Sequence, residues 1–368
     1  MDRIALNGRF SGTLQPTGTQ TAAYQLFDAI VRERRNVELV IFADRRFPKV
    51  CEWAEIPNTI LVHTPFHDWK GSRSHLWEQL QLPRLGHRYG CSVIHNPMTT
   101  CPRWFNGCKS VVTLHDLNFY LHPKWFTRSF RLAYALCAVP GVKASQRVVT
   151  ISKYVREQAE KHFHLPPPQL KTIYNGVKTL HPISIPLQAG PKYLLCVGSL
   201  QPHKNLARMI KAYLLIKEEH PDLELHIVGR PQPRFAEDKD LSSFLASPGV
   251  KLLGYLSEDD LASAYARAAV FCYPSLEEGF GLPVLEAMSL GSLVLTSNLS
   301  CLPEISGPSA EIVDPHSVDA IAAGLRRLLA LSGSERADRI REGKHWSAKF
   351  SWRAAAQAYL NIYNELLA

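Results

Sequence analysis

Pro274-Ser275-Leu276-Glu277-Glu278-Gly279-Phe280-Gly281-Leu282-Pro283-Val284-Leu285-Glu286-Ala287-Met288 is the stretch whose reading decides the fold. It follows an apolar run, 270–273, that reads as a buried strand, and it opens a helical pattern at 282–290. Gly279 and Gly281 allow a sharp turn and a close approach of backbone to ligand, because no Cβ stands in the way. Pro283 suits a first helical turn and Gly291 suits the cap beyond the last one. Backbone N–H groups and the positive end of a helix dipole then point at one spot, which favours an anion. Glu278 sits on the loop and Glu286 about one helical turn in, so both carboxylates are expected to face one pocket. As acceptors they suit hydroxyl donors such as a ribose and a hexose.

Outward from this stretch, strand and helix patterns alternate. In the C-terminal half, strands are expected at 193–197, 224–228, 270–273 and 293–296, and helices at 205–219, 261–267, 282–290 and 318–331. The N-terminal half repeats the alternation, with strands at 4–6, 37–42, 92–95, 111–114 and 171–174 and helices at 19–32 and 128–138. Between the halves, residues 181–191 carry three prolines and no periodicity, which reads as a linker. The fold class is α/β, with two doubly wound Rossmann-like domains expected to face a central cleft. The first spans 1–180 and the second 192–350. An amphipathic helix at 351–368 is expected to pack back toward the first domain.

The pattern E-G-F-G-L-P-x-L-E-A-M-x-x-G, running from Glu278 to Gly291, resembles the signature of glycosyltransferase family 4, retaining enzymes of the GT-B fold. The overall pattern looks most like bacterial mannosyltransferases of exopolysaccharide or O-antigen assembly. Other segments fall where the resemblance puts them. Gly198-Ser199-Leu200-Gln201-Pro202-His203-Lys204 is similar to the strand–loop–helix that holds the donor pyrophosphate, with Lys204 on the leaving phosphate. Ser199 stands where many relatives carry arginine, so one expected cation is missing. His115, in Thr113-Leu114-His115-Asp116-Leu117, resembles the histidine that reaches the donor sugar, with Asp116 orienting the loop. Gly18, in Pro16-Thr17-Gly18-Thr19, resembles a glycine loop near the diphosphate. Arg230, Tyr255 and Leu256 fall at strand ends around the base, and Gly279, Phe280, Gly281 and Leu282 complete the donor loop.

The resemblance implies a mechanism. Glu286 binds the ribose, while Glu278 and His115 position the hexose. The β-phosphate leaves toward Lys204 and the 279–281 amides, with front-face attack and retention. The implied donor is GDP-mannose, with UDP-glucose open, and the implied acceptor is a lipid-pyrophosphate-linked oligosaccharide. No cofactor or metal is expected. Asp238-Lys239-Asp240 is formally a D-x-D, but no buried strand precedes it and Lys239 opposes a cation. A sugar-nucleotide epimerase of the same architecture and an inactive nucleotide- or carbohydrate-binding protein are the alternatives.

Composition narrows the setting. In a chain of 368 residues, hydrophobic residues make up 46% and charged residues 20%, as in a globular protein of two domains. The eight cysteines contain no C-x-x-C pair and read as buried thiols of a reducing cytosol. Residues 1–185 hold 24 Lys+Arg against 12 Asp+Glu, whereas 186–368 hold 18 against 21. The positive excess therefore sits in the first half, which suits an anionic membrane surface and a cytoplasmic, peripheral location. Trp69, Lys70, Arg73 and Trp77, then Lys124, Trp125, Phe126, Arg128, Phe130 and Arg131, interleave aromatic and basic residues as a headgroup interface would. No nucleic-acid-binding pattern accompanies the charge. The longest apolar candidate, 132–142, is too short to span a bilayer and is expected to break at Pro140-Gly141.

Overall fold

The computed structural model describes residues 2–13, 16–69, 73–178, 180, 192–231 and 239–368. The expected linker at 181–191, Lys70 and Asp238 lie outside the described residues. The chain forms two compact units, the first of residues 1–121, 128–176 and 351–368, and the second of 122–127 and 177–350.

In the first unit the strands are β1 (Asp2–Gly8), β2 (Val37–Ala43), β3 (Thr59–His63), β4 (Cys91–Asn96), β5 (Lys109–Leu114), β6 (Arg147–Thr150) and β7 (Leu170–Thr172). They pair in the order β3-β2-β1-β4-β5-β6-β7, every pair parallel. Parallel neighbours need crossovers, which the helices Gly18–Glu33, Leu82–Arg88 and Lys153–Phe163 supply among others. Ile4, Leu6, Leu39, Ile41 and Val93 on one face and Ala5, Val40, Phe42 and Ile94 on the other are fully buried, so the central strands are covered on both faces.

The last helix, Trp352–Leu367, is part of this core, with Tyr359, Ile362, Tyr363 and Leu366 buried in the same cluster as β1, β2 and the helix Gly18–Glu33. Its buried hydroxyls are satisfied by strand side chains. Tyr359 Oη lies 2.7 Å from Thr113 Oγ1, and Tyr363 Oη bonds His95 Nδ1, whose Nε2 lies 3.1 Å from Thr113. The helix Arg128–Ala144 runs through Pro140, correcting the expected break. Burial of Ala138 and Val142 on either side holds the turn whose hydrogen bond proline cannot make.

In the second unit the strands are β8 (Tyr193–Val197), β9 (Glu224–Val228), β10 (Val250–Gly254), β11 (Val270–Tyr273), β12 (Val294–Ser297) and β13 (Glu311–Val313), in the parallel order β10-β9-β8-β11-β12-β13. The order reverses direction between β8 and β11, and the carboxyl ends flanking such a switch are where doubly wound sheets place ligands. Among the described residues, no helix is long and apolar enough to cross a membrane.

Candidate active site

The carboxyl end of β8 runs into Gly198 and Ser199, and a single 3₁₀ turn, Pro202–Lys204, follows. Gly229, just past β9, makes this possible. At its φ of +157° any Cβ would lie 1.7 Å from the Gly198 carbonyl oxygen. Asn205 takes a left-handed conformation, φ 58°, and begins the helix Leu206–Lys217. Its buried amide donates to the carbonyls of Pro274 at 3.0 Å and Pro315 at 2.7 Å. The Leu276 N–H donates to the His203 carbonyl at 2.8 Å. Two loops from neighbouring strands, β8 and β11, are thereby tied together.

These ties bring Lys204 against Glu278. The ammonium lies 2.6 Å from Glu278 Oε1 and donates to Tyr273 Oη at 2.6 Å, with the Tyr273 ring centre 4.8 Å away. Both charged side chains are nearly buried, at 14% and 11% exposure, and a buried ion pair is weak evidence for stability by itself. Burial pushes the Glu278 carboxyl upward, but the adjacent Lys204 charge overcomes this and holds it below the ordinary range. His203 is driven down to about 3 by burial and by Lys204, so it is neutral at pH 7.

The glycine loop delivers what its sequence promised locally. Gly281, at φ 91°, begins the helix Leu282–Leu290, with Pro283 in the first turn and Gly291 as its left-handed cap. The Glu278 N–H donates to Ser300 Oγ at 3.2 Å. The Phe280 ring is buried and packs on Phe350 at 5.9 Å, so this residue offers a ligand its backbone and not its ring. Glu286 accepts from Tyr265 Oη at 3.0 Å, and burial, offset in part by that bond, raises its carboxyl above the ordinary range.

The expected site residues fall into distinct groups. Lys204 and Glu278 are joined by direct contact and Glu278 leads into the 279–281 loop, whereas Glu286 takes its own partner, Tyr265. The Arg230 guanidinium lies 5.6 Å from the ring centre of exposed Tyr255, a cation–π pair beside Gly254 at the end of β10. The Ser199 carbonyl accepts from the Gln201 N–H at 2.8 Å, and the adjacent Leu200 N–H donates to the Arg230 carbonyl at 3.2 Å. In the first unit, His115 follows β5, and its Nε2 donates to the Pro97 carbonyl at 2.7 Å. Burial lowers this histidine to about 4, so it is neutral with Nδ1 as its acceptor nitrogen. Asp116 accepts from the Asn118 N–H at 2.9 Å and so shapes its loop. Gly18 opens the helix Gly18–Glu33 behind the Thr17–Gln20 capping box, with open space where a Cβ would be.

Tyr273 and Tyr265 were not singled out from the sequence. Tyr273 is the last residue of β11, and its position at a carboxyl strand end was the available signal. The proposed interfacial aromatics need correction. Trp77 is buried against Phe66 at 5.0 Å and Phe42 at 5.9 Å, and Trp125 stacks on His122 at 4.0 Å. Packing thus withdraws Trp77 from the surface, whereas Trp125 is half-buried.

Known proteins agree with this architecture. The family description "Glycosyltransferase Family 4" matches residues 16–180, and "Glycosyl transferases group 1" matches 178–346. O-antigen chain mannosyltransferase B of Escherichia coli is 29% identical over 74% of this chain and 74% of its own length. The Escherichia coli serotype-specific mannosyltransferase WbdA is 29% identical over 61% of this chain, which spans only 26% of that larger protein. Sucrose-phosphate synthase from Thermosynechococcus elongatus superposes with a TM-score of 0.76 at 20% identity, covering 100% of this chain and 99% of that one. Anabaena HepE, solved with UDP-glucose, gives 0.70 at 16%, covering 99% and 100%. The fold is that of the GT-B glycosyltransferases. The chain belongs to glycosyltransferase family 4.

Proposed function

We propose that this glycosyltransferase transfers mannose from GDP-mannose, with retention, to a lipid-pyrophosphate-linked oligosaccharide at an anionic membrane surface. The observation that carries the reading is the nearly buried Lys204–Glu278–Tyr273 cluster beside the 279–281 loop, at the switch point of a doubly wound sheet. A nucleoside diphosphate leaving group carries charge that Lys204 and the loop amides can stabilise, without a metal ion. Glu278 then serves two ends. It keeps Lys204 oriented while the site is open to solvent, and it accepts from a hexose hydroxyl when the donor is bound. Glu286, held by Tyr265, accepts from the ribose, and the Arg230–Tyr255 pair offers a stacking face for the base. His115 contributes a neutral imidazole toward the hexose. Relatives named as mannosyltransferases favour the mannosyl donor. HepE, solved with UDP-glucose, keeps that donor as the second reading.

Thermal shift with GDP-mannose, UDP-glucose and ADP-glucose separates the donors, since a ligand of the folded state raises the melting temperature. GDP-mannose is expected to give the largest shift, and to give it equally with and without a chelator. A shift with UDP-glucose alone would replace mannose with glucose, and a shift lost to the chelator would overturn the metal-free reading.

A further inference from the structure

Residues 122–127 group with the second unit although the chain on both sides belongs to the first. The segment, His122-Pro123-Lys124-Trp125-Phe126-Thr127, makes contact there through the side chains of His122 and Trp125. His122 Nε2 lies 3.4 Å from Glu277 Oε2, and the Trp125 ring centre lies 5.6 Å from that of His203, tilted by 32°. The two anchors brace each other, since the His122 ring is stacked on Trp125 at 4.0 Å and 18°. Burial keeps His122 below its ordinary pKa, so at pH 7 the neutral ring donates from Nε2 to the buried Glu277 carboxylate.

What the strap touches is informative. Glu277 immediately precedes Glu278, and His203 immediately precedes Lys204. Each anchor thus fixes the backbone position next to one member of the ion pair, on a different loop. We infer that His122, Trp125 and Glu277 are positioning residues, and that the strap 122–127 sets the alignment of Lys204 with Glu278 for transfer. The inference rests on reading that pair as the donor-diphosphate site. Neither His122 nor Trp125 needs to touch donor or acceptor. Displacing one loop by about 1 Å is enough to cost on the order of 10²-fold in rate at a preorganised site.

The test is steady-state release of nucleoside diphosphate from GDP-mannose and UDP-glucose, with kcat and donor KM measured separately and folding followed by circular dichroism. The variants are Lys204→Ala, Trp125→Ala, Trp125→Phe, His122→Ala, Glu277→Gln and the double His122→Ala/Glu277→Gln. Trp125→Ala is expected to lose about tenfold or more in kcat with little change in KM, and Trp125→Phe to recover most of it. His122→Ala and Glu277→Gln should lose alike, and the double variant no more than either, because they break one contact. Losses that multiply, or kcat within about twofold of wild type in Trp125→Ala or His122→Ala, would overturn the positioning role. If Trp125→Ala fails to fold, the His122 and Glu277 cycle decides alone. Full kcat in Lys204→Ala sinks the donor-site reading instead. A wild type that neither binds nor turns over either donor removes both.

Discussion

Asp44, one residue past β2, shows how much this chain asks of single polar groups. Its buried carboxylate accepts from the Arg46 N–H and Nε at 3.0 Å, from Arg46 Nη2 at 2.8 Å and from the His67 N–H at 2.8 Å. Burial alone would raise its pKa, but these donors bring it down to about 2. A depressed carboxylate stabilises the fold above its unfolded pKa near 3.8, and the benefit disappears as pH falls through about 2. The difference is worth about 2 kcal/mol. Asp44→Asn is therefore expected to cost about that much at pH 5 to 7, and denaturant melts at stepped pH should show the gap closing toward pH 2. A gap independent of pH would mean the loss is steric. The candidate site was partly legible at this scale. Glu278 and Glu286 stood out because two carboxylates flank a glycine turn at a strand end, and Lys204 because the strand–loop–helix before it resembles the family's pyrophosphate-holding segment. Tyr273, Tyr265 and His122 did not. A tyrosine in an apolar strand or helix looks like packing, and His122 meets Glu277 from 155 residues away.

At the scale of elements, sequence patterning missed β3, β6, β10 and β13; β6 is a buried interior strand of only four residues, and the other three share a physical cause. β3, β10 and β13 are edge strands, and β3 and β10 are half-buried or exposed along most of their length. Central parallel strands are buried on both faces and write continuous apolar runs into the sequence, whereas edges do not. The helix Arg128–Ala144 was read as broken because proline weakens a helix locally, and burial of its inner face outweighed that. Its outer face is unusual. Leu132 and Leu136 are 62% and 54% exposed, one turn apart, beside exposed Arg128 and Arg131. On the helix Arg73–Leu80, Leu76 and Leu80 are also exposed. These leucines, and not buried Trp77, are the groups able to enter a headgroup region. Leu132→Ser/Leu136→Ser should reduce pelleting with anionic vesicles at low salt while leaving the melting temperature unchanged. Equal pelleting by wild type and variant, or equal pelleting with anionic and neutral vesicles, would remove the membrane surface from the account.

Across the whole molecule, histidine burial sets the response to acid. His75, His95 and His203 are driven to about 3 and His115 to about 4, each chiefly by burial. The unfolded chain protonates them near 6.5, so it binds more protons than the folded chain below that pH. Their contribution is complete above pH 6.5 and is lost as pH falls through the window from 6.5 to between 4 and 3, at up to about 1.4 kcal/mol per pH unit for each ring. His95→Gln keeps a partner for Thr113 or Tyr363 but does not titrate, so the slope of stability against pH in this window should become shallower. An unchanged slope would show that His95 is not held neutral.

Which glutamate meets the part of the donor that changes during transfer is tested most directly by steady-state kinetics of Glu278→Gln and Glu286→Gln. Both substitutions preserve size, so packing is little altered. Glu286 is assigned to the ribose, which is unchanged as the bond breaks, so its variant should raise donor KM with kcat nearly intact. Glu278 is assigned to the transferred hexose and to the orientation of Lys204, so its variant should lose about 10²-fold or more in kcat, as expected for one positioned contact of roughly 3 kcal/mol. If Glu286→Gln lost kcat while Glu278→Gln changed only KM, or if neither variant affected donor turnover, the assignment of the Lys204–Glu278 cluster to the leaving diphosphate would be contradicted.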